Sequence, residues 1–184
     1  MGEKDEFIYH EMIVHPAFLV NPNIKRVLII GGGDGGTARE VLKYKTVEHL
    51  DFIDIDEDVF RMCQEFLPIT AAGVEEDPRC NVEFRDGVEV VNNAADNTYD
   101  LILVDSTDPI SIGEGLFTTD FYKNCYRVLN ENGILINQHE SPYFTEYAKN
   151  MMKAHNKIKN IIRLIFIFIK FFISIFKYFC NTQC

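Results

Sequence analysis

The sequence predicts an α/β fold with a doubly wound, mostly parallel sheet, and three observations support this prediction. The apolar run 27–30 leads directly into the glycine-rich segment 31–36, the pattern of a buried strand, a tight turn and the start of a helix. Short apolar runs then alternate with segments of helical pattern as far as about residue 154, which is typical of a parallel sheet. The run 99–104 is nearly all apolar, as expected of a strand that is covered on both faces.

The individual elements are predicted from the spacing of apolar residues and from turn residues. We expect a short strand at the end of the segment 3–9 and a helix over 10–19, which Pro16 limits because proline interrupts helical hydrogen bonding. Pro22 lies in the turn that precedes the first strand of the sheet, at 25–30. The later strands are expected at 50–55, 81–84, 99–104 and 134–137. The later helices are expected at 37–44, 59–67, 88–93, 119–129 and 141–154, and a loop is expected at 110–115.

Composition narrows the class of protein. The 184 residues suffice for one domain with a core, and 47% of them are hydrophobic, as in globular proteins. The net charge of −10 argues against a nucleic-acid partner. The acidic residues lie in 1–154, and an acidic body suits basic ligands but also serves solubility. The five cysteines form no C-x-x-C pair, and the N-terminus does not resemble a signal peptide, so we expect a cytoplasmic protein with reduced thiols.

The glycine-rich segment carries the first functional prediction. Gly31, Gly33 and Gly36 fit the pattern G-x-G-x-x-G of nucleotide-binding loops. Asp34 lies inside this loop, where a carboxylate would repel a phosphate and attract a cation. The loop therefore favours a nucleoside that carries positive charge over a pyrophosphate. The alternative is that Asp34 is an ordinary helix cap.

Aspartates end all four leading strands, at the edge of the sheet where ligands bind in this class of fold. Each of them has an alternative role as a turn or capping residue. Asp54 and Asp56 lie about twenty residues after the glycines, where nucleotide sites place a carboxylate on the ribose hydroxyls; the alternative is that both face solvent. The complete set predicts polycationic ligands and consists of Asp34, Asp54, Asp86, Asp105 and Asp108.

Asp105 and Asp108 stand three residues apart in a loop closed by Pro109. Such a pair can supply a general base and an ammonium anchor, although a purely structural turn is the alternative. His10, Glu11 and His15 superficially suggest a zinc motif, but that motif needs histidines four apart, and these are five apart. We therefore predict no metal site.

The chain closely resembles the spermidine synthases, the polyamine aminopropyltransferases. The resemblance rests on several motifs in family order: Asp5 to Met12, the glycine loop with Arg39 and Glu40, Asp54-Ile55-Asp56, Asp86-Gly87, Asp105 to Pro109, and Gln138 to Ser141. It implies a Rossmann-like sheet of the methyltransferase type. It further implies transfer of an aminopropyl group from decarboxylated S-adenosylmethionine, a co-substrate rather than a cofactor, to putrescine, which yields spermidine and methylthioadenosine.

The resemblance also implies the residue roles. Asp105 would be the proton acceptor, and Asp34 would bind the ammonium end of the aminopropyl arm. Tyr9, His10, Asp108 and Gln138 would hold the amine substrate. Gly31, Gly33, Asp54, Ile55, Asp86 and Gly87 would form the nucleoside site, with Asp54 on the ribose in place of the family's usual glutamate and Asp86 and Gly87 at the adenine.

Three departures from the family qualify this picture. Ser111-Ile112 replaces a Gly-Pro step after Pro109, residues 1–9 are expected to be a remnant of an N-terminal β-domain, and the resemblance ends near residue 154. The catalytic domain is thus expected at 10–154 and an atypical hydrophobic, basic tail at 155–184. That tail could span a membrane, lie on one, or be an aberrant terminus, and the last alternative is favoured.

Intact members of the family are implied to form homo-oligomers. Two other functions stay open for this chain: an inactive fragment that binds the nucleoside, and a methyltransferase that acts on a small amine.

Overall fold

The sheet of this protein is built from parallel strands. A computed structural model describes residues 5–106, 111–138 and 164–167, and within them six strands form one sheet of order β3-β2-β1-β4-β5-β6. Every described strand pair is parallel. The strands are β1 (Arg26–Gly31), β2 (His49–Asp54), β3 (Cys80–Phe84), β4 (Tyr99–Asp105), β5 (Leu129–Gln138) and β6 (Leu164–Ile167). The predicted doubly wound fold is therefore confirmed.

Helices connect the strands and cover both faces of the sheet. They are α1 (Glu6–Val20), α2 (Gly36–Leu42), α3 (Glu57–Phe66), α4 (Gly87–Asn93), the 3-10 helix Ser111–Phe117 and α5 (Thr119–Val128). Alternate residues of one strand belong to different cores, because successive side chains of a strand point to opposite faces. Val27 and Ile29 join a core that contains residues of α1, α2 and α3, whereas Leu28 and Ile30 join a core that contains residues of α4 and α5.

The expected strand at the end of the segment 3–9 is wrong. Helix α1 begins at Glu6 and runs through the expected boundary between 9 and 10. Phe7, Ile8 and Tyr9 have high β-propensity, but such a preference is weak and tertiary burial overrides it. Tyr9 packs on the same buried face as Ile13, a face that only a helix brings together.

Other differences are smaller. Helix α1 ends at Val20, one residue later than expected, and the expected loop at 110–115 contains most of the 3-10 helix Ser111–Phe117. Strand β5 starts five residues earlier than expected and includes the predicted turn at 132–133. Within the tail, Leu164–Ile167 pairs with β5, while the expected helix 141–154 lies outside the described residues. Among the helices that the structure describes, none has the length and apolar character needed to cross a membrane.

Candidate active site

A cavity opens at the carboxyl ends of β1 and β4, where the order of the strands reverses. In doubly wound sheets this switch point is the usual place for a ligand. The cavity measures about 510 Å³, a size typical of small-molecule sites. Its acidic lining consists of Asp34, Asp54, Asp56, Asp86 and Asp105, and the remaining polar and apolar lining includes Tyr9, Ile55, Arg85, Ser106, Leu116 and Gln138.

The glycine loop binds directly to the end of β4. Gly31 pairs with Asp105 in the sheet, and the N–H of Gly32 donates to the carbonyl oxygen of Asp105 at 2.7 Å. Gly31 has φ +85°, and a Cβ atom there would lie 2.3 Å from that carbonyl oxygen. Only glycine fits such a backbone at so close an approach. The loop and the backbone of Asp105 are thereby fixed relative to each other.

Asp34 serves the local turn and the cavity together. Its Oδ1 accepts a hydrogen bond of 2.9 Å from the N–H of Gly36 and so closes the turn before α2. Gly35, not Asp34, is the capping residue of that helix, so the interpretation of Asp34 as the helix cap is wrong. Its Oδ2 lies 3.2 Å from Nε2 of His10. Burial by itself raises the pKa of Asp34, but His10 and the N–H of Gly36 outweigh it and hold the pKa below its usual value.

Asp105 has neutral donors on both oxygens. The hydroxyl of Tyr9 donates to Oδ1, and the hydroxyl of Thr37 donates to Oδ2. Burial raises the pKa of Asp105, and the two hydroxyls offset this effect only in part. Asp105 is therefore the stronger base of the two carboxylates, Asp34 and Asp105, that share this cavity.

The expected nucleoside residues Gly31, Gly33, Asp54, Ile55, Asp86 and Gly87 all line the same cavity. Oδ1 of Asp54 accepts from the N–H of Asp56 at 2.8 Å, and burial raises the pKa of Asp54. Asp56 caps α3, and Asp86 caps α4 by accepting from the N–H of Val88 at 2.8 Å. Both capping aspartates nevertheless line the cavity.

The remaining expected ligands differ in position. Tyr9 and Gln138 line the cavity, but His10 is absent from its described lining and lies buried behind Asp34. Ile55, 54% exposed, lies at the rim of the cavity, and Gly87 also belongs to its lining. Asp108 lies outside the described residues.

Three residues at or beside the cavity were not predicted from the sequence: Thr37, Ser106 and Glu6. Thr37 is fully buried, and its contact with Asp105 joins positions 68 residues apart. Ser106 lines the cavity with a buried hydroxyl that has no hydrogen-bond partner among the described residues. Glu6 contacts His10 behind the loop. A helical interpretation of 6–10 would have indicated this last contact, because residues four apart meet on a helix.

One cluster outside the cavity has the residue types of a metal site. Ligand atoms of Glu11, His15 and Glu40 all lie within 4.8 Å of one another. However, Nζ of Lys43 lies 2.7 and 2.6 Å from the two carboxylate oxygens of Glu40, and Arg39 also contacts that carboxylate. The charge of Glu40 is thus already balanced by side chains, and we interpret this cluster as an ion-pair network.

Comparison with known proteins adds an independent line of evidence. The model of the spermine/spermidine synthase domain matches residues 6–183, past the point near 154 where the sequence motifs end. The polyamine aminopropyltransferase of Clostridium acetobutylicum is 58% identical over 160 residues, which are 87% of this chain and 56% of that protein. That of Alkaliphilus oremlandii is 55% identical over 157 residues, which are 85% of this chain and 55% of that protein.

Two solved structures are also similar. A spermidine synthase in complex with the transition state analogue AdoDATO has a TM-score of 0.78 and 40% sequence identity, over 86% of this chain and 53% of that one. The spermidine synthase from Thermotoga maritima has a TM-score of 0.75 and 40% identity, over 86% of this chain and 52% of that one. The chain thus spans about half the length of the relatives it matches.

Proposed function

The chain belongs to the spermine/spermidine synthase family, and we propose that it carries out the aminopropyl transfer that makes spermidine. In this proposal the donor is decarboxylated S-adenosylmethionine, the acceptor is putrescine, and the second product is methylthioadenosine. The observation that carries the proposal is the pairing of Asp34 and Asp105 in one cavity, with a lowered pKa for the first and a raised pKa for the second. This pairing provides one permanent anion and one base.

The donor would occupy the glycine-loop side of the cavity. Asp54 would accept hydrogen bonds from the ribose hydroxyls, with Ile55 at the rim, while Asp86 and Gly87 would border the adenine. Gly31 and Gly33 would let the nucleoside approach the backbone. Asp34 would bind the ammonium at the end of the aminopropyl arm, since a charge-assisted hydrogen bond to a carboxylate is strong in a partly dry site.

The acceptor must lose a proton before it can attack. An alkylamine has a pKa of about 10, near that of lysine, so its nitrogen is protonated and has no free electron pair at neutral pH. Asp105 would take this proton, and the freed nitrogen would attack the methylene carbon bound to sulfur. The carbon–nitrogen bond forms, the carbon–sulfur bond breaks, and its electron pair neutralises the sulfonium. Tyr9, Asp108 and Gln138 are proposed to hold the diamine, whereas His10 is fully buried and contacts Asp34.

The sulfonium supplies its own activation, because it is already a good leaving group. The chemistry therefore requires no Lewis acid and no cofactor, and decarboxylated S-adenosylmethionine acts as a co-substrate. What the protein must provide is alignment of nitrogen, carbon and sulfur, together with removal of one proton.

The test is a direct assay of the purified chain with putrescine and the decarboxylated donor. We expect chromatography to detect spermidine and methylthioadenosine. Asp105→Asn should reduce turnover by at least about 100-fold, the usual contribution of a general base. Asp120→Asn is the matched control, because Asp120 is an exposed residue of α5 and its loss should leave the rate unchanged.

Three outcomes would contradict the proposal. Methylthioadenosine binding in calorimetry without turnover would make the chain a nucleoside-binding module. Methyl transfer from ordinary S-adenosylmethionine would make it a methyltransferase. Unchanged turnover in Asp105→Asn would remove Asp105 from its role as base.

We also propose that the catalytic unit predicted at residues 10–154 includes the start of α1 from Glu6, and that 155–184 are an atypical tail. We further propose cytoplasmic localisation, homo-oligomeric assembly and no nucleic-acid partner. Size-exclusion chromatography with light scattering tests the assembly, and cell fractionation tests both the location and any membrane contact of the tail.

A further inference from the structure

Four ionisable side chains form a row that ends at the cavity, and we name it the charged row: Arg39, Glu6, His10 and Asp34. The guanidinium of Arg39 donates to both carboxylate oxygens of Glu6, each at 3.0 Å. Oε2 of Glu6 lies 2.5 Å from Nδ1 of His10. Nε2 of His10 lies 3.2 Å from Oδ2 of Asp34, an ion-pair contact whose angles fall short of a hydrogen bond.

The row lies largely out of water. The side chains of His10, Glu6 and Arg39 are 1%, 13% and 15% exposed. Water screens such contacts less than it screens contacts at the surface. Burial alone lowers the pKa of His10, but the contacts with Asp34 and Glu6 outweigh it, so that this pKa lies above its usual value. The pKa of Glu6 is lowered, because Arg39 and His10 outweigh the effect of its burial.

The ring of His10 is also held by packing. A Cβ atom on Gly36 would lie within 2.5 Å of three ring atoms of His10, so the ring occupies the space that a side chain at position 36 would need. Tyr9 packs on the ring edge to face, with centroids 5.1 Å apart. Glycine at position 36 is therefore needed because any larger residue would collide with the imidazole of His10.

We propose that Glu6 is a positioning residue that holds His10 in its doubly protonated form, so that His10 orients and neutralises Asp34 from behind. This inference rests on the proposed function. The N–H of Gly36 fixes one oxygen of Asp34, and His10 faces the other, which leaves the cavity side of the carboxylate available for the donor's ammonium. His10 acts on the substrates through Asp34, because its own side chain is buried behind that residue.

The positive ring also offsets the charge repulsion between Asp34 and Asp105. Asp34 raises the pKa of Asp105 through charge repulsion, whereas His10 lowers it. Without the imidazolium, the two carboxylates would lose a cation that lowers the pKa of both. Within the part of the chain that the structure describes, the groups that act on His10 are Glu6 and Tyr9 of α1, Asp34 of the glycine loop, Asp105 of β4 and, through Glu6, Arg39 of α2.

The experiment follows the ring of His10 directly, by ¹⁵N-histidine NMR over a pH range, with the signal assigned from a His10→Gln spectrum. In the wild-type chain the ring should titrate above the ordinary value of 6.5. In Glu6→Gln, which keeps the size and an acceptor oxygen but removes the charge, the midpoint should fall. Glu6→Asp, which keeps the charge, should restore part of the shift. Glu11→Gln, on the neighbouring position of the same helix, should leave it unchanged.

The kinetic arm separates positioning from general stability. In Glu6→Gln we expect the KM for the decarboxylated donor to rise about tenfold with a smaller change in kcat, because a charge-assisted contact to the donor is weakened. A His10 midpoint at or below 6.5 in the wild-type chain would overturn the inference whatever the variants do. An unchanged donor KM in a folded Glu6→Gln chain would also overturn it.

The two proposals can fail separately. A wild-type chain with a doubly protonated His10 but no spermidine formation would contradict the proposed function and leave the charged state of the ring established. Spermidine formation with a neutral His10 would contradict only the role of Glu6.

Discussion

Thr37→Val tests how the cavity tunes its base. Valine has nearly the shape of threonine, so the substitution removes the hydroxyl that donates to Oδ2 of Asp105 and leaves the packing of this fully buried position almost unchanged. A hydrogen bond to a charged group contributes about 1.5–3 kcal/mol, and this bond stabilises the ionised form of Asp105. Its loss should therefore raise the pKa of Asp105 further above its usual value.

The expected result is a shift of the acid limb of the pH profile. Asp105 must be ionised to accept a proton, so kcat/KM of Thr37→Val should rise only at a higher pH than in the wild-type chain. On the acid side of that limb the loss should reach about 10-fold or more, and activity should recover as pH increases.

The assay is spermidine formation measured from pH 5 to pH 9 with limiting putrescine. Thr98→Val is the control, because the hydroxyl of Thr98 donates an exposed hydrogen bond to the carbonyl oxygen of Ala95. A pH-independent loss in Thr37→Val would mean that Thr37 contributes packing or substrate contacts instead. An acid limb that stays in place would refute the reasoning that Asp105 is tuned by this hydroxyl.

Two further predictions concern stability. Asp105→Asn should raise the melting temperature at pH 8, because the pKa of Asp105 is higher in the folded chain and its ionisation therefore lowers the stability of the fold as pH rises. Each kcal/mol of stability regained corresponds to about 2–4 °C, and an unchanged or lower melting temperature would contradict this prediction. Gly31→Ala should destabilise the chain more than Gly73→Ala in urea unfolding. Both glycines have positive φ, which costs alanine about 1–2 kcal/mol, but of the two only Gly31 would bring the new methyl group against a carbonyl oxygen. Equal losses of stability would contradict the role of that close approach.

The sequence predicts the sheet well because its strands are marked locally. Apolar runs bounded by glycine or aspartate identify β1, β2, β3 and β4 to within one or two residues. The ends of parallel strands meet at one edge, so the convergence of Asp34 and Asp105 also follows from the pattern. The start of α1 does not follow from the sequence pattern. Residues 7–9 have high β-propensity, and they are helical because the tertiary fold buries Tyr9 on the same face as Ile13.

The supporting contacts of the site were beyond sequence reasoning for a different reason. Tyr9 and Asp105 are 96 positions apart, and Arg39 and Glu6 are 33 apart. No local pattern links such residues; the packing of α1 against α2 and the end of β4 brings them together. The residues expected to touch substrates were thus identifiable from motifs, whereas the residues that set their charge and orientation required the structure.

The charge environment then separates two aspartates that look equivalent in the sequence. Asp34 contacts the imidazole of His10 and a backbone N–H, which together hold its pKa below the usual value. Among the described residues, the carboxylate of Asp105 accepts hydrogen bonds from two neutral hydroxyls in a buried position, and burial keeps its pKa above the usual value. When one cavity shifts the pKa values of two carboxylates in opposite directions, the group with the lowered pKa suits permanent binding of a cation and the group with the raised pKa suits proton transfer. An aminopropyl transfer needs both functions, because one ammonium must stay charged while another amine loses its proton within the same site.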